Sequence, residues 1–268
     1  MMREIRVSVR GGRFTTSMMR GGSGPPLLFL HGAGGPMDGA PFLDDLARHF
    51  TVFAPAHPGF GPGEGIEHLD DVLDFTLYYL DFLEEVGIEK PHVVGHSLGG
   101  MLAAEMAALA PQLLNRLVLI CPAGLWLDAV PIPDFFTFSP EQLVRSALHD
   151  PKGPVGKALL AQLRDPRLAL SSYRCLASAG KFLWPIPEKG LRKRIHRVKL
   201  PTLVIWGASD GLIPTVYADA FHASIPGSQV AILNGAGHLP MLEQREAFVQ
   251  AVTCFLGSGS VTGDGAQR

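Results

Sequence analysis

Ser97 stands in Gly95-His96-Ser97-Leu98-Gly99, with glycine two positions away on either side. A serine hydroxyl attacks a carbonyl only when a base takes its proton and a third group holds that base in the right tautomer. Both partner types follow in chain order: Asp210 in Trp206-Gly207-Ala208-Ser209-Asp210-Gly211 and His238 in Asn234-Gly235-Ala236-Gly237-His238-Leu239-Pro240. Together they could cleave an ester-like carbonyl through an acyl-enzyme. Taken singly each has a plainer reading: a turn serine in a chain with 31 glycines, an aspartate capping the next helix, a loop histidine. Their placement relative to the predicted elements therefore decides.

Short apolar runs at Leu27–Leu30, Val52–Ala54, His92–Val94, Leu117–Ile120, Leu203–Trp206 and Val230–Leu233 read as strands covered on both faces. Alternation over Ile5–Val9, then Gly11-Gly12 and an extended run from Arg13 to Met19, predicts an antiparallel hairpin before them. Between strands, Leu69, Val72, Leu73, Tyr79, Leu80, Leu83 and Val86 recur at helical spacing. Acids at Asp70, Asp71 and Asp74 mark the start of this helix and Gly87 its stop. Alternating strands and helices imply a mostly parallel sheet whose functional loops gather at the carboxyl ends of its strands. Ser97 falls between the strand ending near Gly95 and a helix, Leu98 to Ala110, that is apolar on nearly all sides. That turn exposes the hydroxyl and offers the Leu98 N–H to a developing oxyanion. Asp210 and His238 both follow strand ends.

The strand pattern lapses between about Pro122 and Lys199, so residues 123–199 are expected to form a helical cap inserted into a core of residues 1–122 and 200–256. Residues 257–268, rich in glycine and serine, read as a flexible tail. The chain is 47% hydrophobic and 18% charged, as a large buried core requires. Its 23 basic and 25 acidic residues give a net charge of −2, so no overall field draws it to nucleic acid or an anionic membrane. Cys121, Cys175 and Cys254 are widely spaced and read as buried thiols. The amino terminus lacks a signal-like apolar run, and Leu98–Leu114 is interrupted by Glu105, Pro111 and Gln112, so membrane insertion is not expected and a cytoplasmic location is the default. The sequence leaves a homodimer open.

Through His31-Gly32-Ala33-Gly34-Gly35, Gly95-His96-Ser97-Leu98-Gly99-Gly100, Asp210 and Gly237-His238, the chain resembles the α/β-hydrolase superfamily, in its capped branch of esterases and C–C hydrolases. The similarity runs from about residue 1 to 256 and is weakest in the cap. The resemblance implies an α/β-hydrolase fold, a mostly parallel sheet flanked by helices. It also implies that Ala33 N–H partners Leu98 N–H in an oxyanion hole after the third strand, and that no cofactor is needed. The expected substrate is a small-molecule ester, apolar and of small to medium size. Gly34, Leu212, Ile213 and Leu239 are expected to face it from beside the triad, and Trp126 and Trp184 from the cap.

Other readings remain open at this point. Asp128 is a rival acid. A C–C hydrolase of vinylogous diketones would use the same triad with a basic cap residue, for which Arg174 or Lys181 could serve. A non-catalytic ligand-binding protein could retain all three residues. Epoxide hydrolases and haloalkane dehalogenases of similar fold place aspartate where Ser97 stands. His92 and His96, about 13 Å apart on a strand, cannot chelate one metal. Gly59–Gly65 lacks the register of a nucleotide loop and reads as a flexible loop at the site's rim. Lys189, Arg192, Lys193, Arg194, Arg197 and Lys199 read as a solvated helix face. Phe135, Phe136 and Phe138 read as cap packing.

Overall fold

The computed structural model describes residues 2–186 and 189–257. Eight strands form one sheet in the order β1-β2-β4-β3-β5-β6-β7-β8. The hairpin is β1 (Arg3–Val9) and β2 (Phe14–Gly21), antiparallel to each other, and β2 is also antiparallel to β4 (Thr51–Pro55). From β4 onward the pairing is parallel through β3 (Pro26–Leu30), β5 (His92–His96), β6 (Leu117–Ile120), β7 (Thr202–Gly207) and β8 (Gln229–Leu233). This is the α/β-hydrolase fold.

The helices are α1 (Pro41–Leu46), α2 (Val72–Val86), α3 (Leu98–Leu109), α4 (Pro140–Ala147), α5 (Pro154–Arg164), α6 (Pro166–Leu183), α7 (Val216–Ser224), α8 (Pro240–Glu243) and α9 (Arg245–Gly257). Helix α2 starts at Val72, three residues later than its apolar spacing suggests, because the Asp71 carboxylate accepts the Leu73 and Asp74 N–H groups. Gly87, at φ 69°, ends it. Helix α3 is buried along nearly its whole length. Only a helix sandwiched between the sheet and other helices can be apolar all round.

Three sequence expectations change. Strand β8 is an edge, and Val230 and Ile232 are 37% and 42% exposed, so it is not covered on both faces. Cys254 is exposed on α9, whereas Cys121 and Cys175 are buried. The basic run is no solvated helix: it forms two 3-10 turns, Leu191–Lys193 and Ile195–Arg197, whose arginines reach inward. Arg194 clasps the buried Glu105 of α3 with two bonds of 2.7 and 2.6 Å, Arg197 donates to the Ala108 carbonyl at 3.0 Å, and Arg192 donates to the Trp126 carbonyl. These bonds rivet the segment leading back into β7 onto the helix that begins beside Ser97. Most of the glycine-serine tail lies outside the described residues. Among the described residues, no helix is long and apolar enough to cross a membrane.

Glu105→Ala should remove the carboxylate of this clasp and lower stability by about 2 kcal/mol, a value discounted because Arg194 is a third exposed. Urea denaturation measures it, and a change under 0.5 kcal/mol, roughly the scatter of surface substitutions, would count against the clasp.

Candidate active site

Strand β5 delivers Ser97 to a sharp turn, and the next residue, Leu98, opens α3. Ser97 holds φ 53° and ψ −113°, outside the usual regions for an L-residue. The turn is tied on three sides: Ser97 N donates to the Ile120 carbonyl at 2.9 Å, and the Ser97 carbonyl accepts from Met101 N and Ala123 N at 3.0 Å each. Its tightness needs glycine. A Cβ on Gly99 would stand 2.2 Å from the Leu30 carbonyl oxygen, and one on Gly95 would stand 2.3 Å from that of Gly99.

His238 Nδ1 and Asp210 Oδ2 are 2.7 Å apart, with the Asp210 side chain fully buried. The other carboxylate oxygen accepts from the Leu212 and Ile213 N–H groups at 2.9 Å each. With both oxygens engaged, the aspartate has one orientation. Its hydrogen bond places the histidine proton on Nδ1 and leaves Nε2 as the free acceptor. The two loops meet backbone to backbone, since a Cβ on Gly207 would lie 1.9 Å from the Gly237 carbonyl oxygen. His238 N donates to the Ala147 carbonyl at 2.6 Å, and Gly237 N donates to Glu243 at 2.7 Å. The same Glu243 carboxylate accepts from His149 N and Asp150 N. Asp128 instead accepts from the Trp126 indole at 2.9 Å, so the carboxylate that meets His238 is Asp210.

Ser97 and His238 share one cavity of about 420 Å³. Ala33, Gly34, Leu212, Ile213 and Leu239 line it, and Leu98 occupies the first position of α3, where a backbone N–H has no partner within its own helix. Trp126 and Trp184 do not line it. Trp184 is 59% exposed because it leaves the end of α6 on the side away from the cavity, and Trp126 is turned toward Asp128. Arg174 and Lys181 are likewise outside the lining, Lys181 donating to the Ile66 carbonyl at 3.1 Å. Sequence reasoning did not single out Met37, Met101, Leu143, Leu163 or Leu183, which supply much of the apolar wall, and it read Lys189 as part of a solvated face, whereas Lys189 lines the cavity and its ammonium donates to the Pro185 carbonyl. Burial holds the Lys189 ammonium below its usual range. Phe135 does line the cavity. Helical spacing hid Met101, Leu143, Leu163 and Leu183 among ordinary core residues, and Met37 lies in a loop with no pattern to mark it.

A second layer of neutral histidines holds the glycine loop after β3. His57 N donates to His31 Nε2 at 3.0 Å, so His31 carries its proton on Nδ1, against the Gly32 carbonyl at 2.8 Å. His57 Nε2 meets the His31 carbonyl at 2.8 Å, and its Nδ1 meets the Tyr79 hydroxyl. His57 escaped sequence reasoning, although it follows a strand end. His96 Nε2 meets the His238 carbonyl at 2.8 Å. Burial lowers His31 and His92 to about 4, and takes His57 and His96 well below their usual value. The Gly59–Gly65 loop is not slack: Gly59 N donates to the Gly63 carbonyl and Gly63 N to the Phe60 carbonyl, at 2.9 Å each, and Ser178 donates to the Gly59 carbonyl at 2.7 Å.

Cys121, Asp210 and His238 place possible metal-ligand atoms within 4.8 Å of one another. Burial and the Asp210 charge push the Cys121 thiol well above its ordinary value, and a protonated thiol is a poor ligand.

A model described as the alpha/beta hydrolase family matches residues 27–251. The chain is 31% identical over 238 residues to the dihydrolipoyllysine-residue acetyltransferase component of the acetoin cleaving system of Cupriavidus necator, covering 85% of this chain and 63% of that protein. It therefore spans less than two thirds of that relative's length. It is 28% identical over 265 residues to the pimeloyl-(acyl-carrier protein) methyl ester esterase of Aeromonas salmonicida, covering 91% of this chain and 100% of that protein. The crystal structure of a serine hydrolase involved in carbazole degradation superposes with a TM-score of 0.77 at 26% identity, covering 96% of this chain and 99% of that one.

The four depressed histidines make stability depend on pH. Each is neutral when folded and takes up a proton near 6.5 when unfolded, so the unfolded chain binds more protons below that pH. Stability is fully present above about pH 6.5 and falls with acidity, by up to about 1.4 kcal/mol per pH unit for each histidine until its folded value is reached. Urea midpoints should drop between about pH 7.5 and pH 5; level midpoints would contradict the neutral assignment.

Proposed function

The chain belongs to the alpha/beta hydrolase family, and from that premise we propose that it cleaves carboxylic esters with Ser97 as nucleophile, His238 as base and Asp210 as its orienting acid. The observation that carries this reading is the single cavity shared by Ser97 and His238, behind which His238 is bonded to a fully buried carboxylate. In the proposed cycle the Ser97 hydroxyl adds to the ester carbonyl as His238 Nε2 takes its proton. The oxyanion is held by the N–H groups of Ala33 and Leu98. Collapse expels the alkoxide, which leaves as an alcohol with the proton from His238. A water, deprotonated by the same imidazole, then releases the acid and restores Ser97.

The cavity supports a small to medium apolar substrate, being within the size range of small-molecule sites and walled by side chains such as Met37, Leu143 and Leu163. Residues 123–199, which supply α4, α5 and α6, act in this reading as the cap. Neither basic residue considered for C–C cleavage lines the cavity, which favours the ester. Lys189 keeps the C–C reading in play, as it supplies a cation at the wall.

Labelling by a fluorophosphonate should be strong in the native chain and lost in Ser97→Ala, and hydrolysis of p-nitrophenyl esters should fall at least about a thousandfold. No labelling at any pH would leave the non-catalytic binding reading in its place. Asp210→Asn, which keeps the shape but alters the tautomer held, should lower kcat by about a thousandfold to ten-thousandfold. A kcat within about tenfold of native would remove Asp210 from the triad.

A further inference from the structure

Helix α6 has two dissimilar faces. Its inner face buries Ser172, Cys175, Ala179, Phe182 and Leu183, and Ser172, Leu176 and Leu183 line the cavity. At about 100° per residue, Leu170, Tyr173, Arg174, Ala177 and Lys181 share the opposite face, and all are exposed. Trp184 stands just past the last turn. Leu170, Tyr173 and Trp184 are 57%, 56% and 59% exposed, and Leu168 near the start of the helix is 49% exposed. Large apolar side chains gathered in this way mark an interaction surface.

The stretch of chain that carries this face is rich in bases. Residues 166–199 carry nine lysines and arginines against one acid, Glu188, in a chain whose net charge is −2. Among these bases, Arg167 pairs with Asp165 and Arg194 with Glu105. Lys181 donates to a backbone carbonyl, that of Ile66, and Arg174 lies beside it on the exposed face. The balanced total conceals this local excess. Leucine with tyrosine and tryptophan, interleaved with bases and free of acids, is the composition of a helix that lies in a lipid interface.

We propose that the outer face of α6 docks this protein on an anionic lipid surface, with Leu170, Tyr173 and Trp184 entering the headgroup layer and Arg174 and Lys181 meeting lipid phosphates. The surface is the outer wall of the cavity, so an apolar substrate dissolved in lipid would lie one helix away from Ser97. Docking itself does not rest on ester cleavage.

Flotation of the full chain with vesicles of equal parts phosphatidylcholine and phosphatidylglycerol, beside vesicles of phosphatidylcholine alone, tests this. Binding should require phosphatidylglycerol and weaken about tenfold or more in high salt. The double substitution Leu170→Ser and Tyr173→Ser should weaken it by at least about tenfold while the variant melts as the native chain does, since neither side chain is buried. Absence of binding to the anionic vesicles overturns the proposal. Binding untouched by both salt and the double substitution also overturns it, and so does a native dimer that the double substitution splits, which would assign the face to a second copy.

Discussion

Ser97 sits in a backbone conformation that costs an L-residue about 1–3 kcal/mol, and its neighbourhood is arranged so that it cannot relax. Three backbone bonds hold the residue from β6, α3 and the segment after β6. Relief would require α3 to lift from the sheet, but the helix is buried on nearly every side and lies against β3 and β5 through glycines. The buried clasp of Glu105 by Arg194 extends the constraint to the segment that returns into β7. The strain at one residue is thus opposed by packing over much of the domain, which is how a hydroxyl lining the cavity can be kept at a fixed height above a sheet.

Asp210 and His238 depend on a second constraint. Their loops leave β7 and β8 and touch through backbone atoms, with no room for a side chain at Gly207. Two main-chain N–H groups and one imidazole saturate Asp210. Around them the histidines at positions 31, 57 and 96 are neutral and supply hydrogen bonds without charge, so no second cation competes for Asp210.

The fold was largely legible because each parallel strand is a short apolar run, the hairpin before them alternates, and the crossover helix has both a cap and a stop in its sequence. Ser97, Asp210 and His238 were legible because each follows a strand end, and in a parallel sheet those ends meet. The cavity wall was not. Trp126 and Trp184 were singled out for their size, yet their direction is set by the local indole bond to Asp128 and by the way α6 ends. The basic run misled for a related reason: charge predicts solvent exposure until a buried acid such as Glu105 or an open carbonyl such as Ala108 lies within reach. Exposure of β8 follows from its edge position, which the order of strands in sequence does not reveal.

The bonds from His238 N to the Ala147 carbonyl and from Glu243 to Gly237, His149 and Asp150 have a mechanical consequence. They weld the carboxyl end of α4 to the loop that carries the imidazole, so the insertion cannot swing away as one rigid lid without dragging the base with it. The far end of α6 is also fastened, by Ser178 to Gly59 and by Lys181 to Ile66. What remains loosely moored is α5 with the first turns of α6, which pack mainly on one another and on α4. The part of the insertion that can shift with the fewest bonds broken is therefore a flap hinged between two anchored ends, and its movement leaves the arrangement of Ser97, Asp210 and His238 at rest.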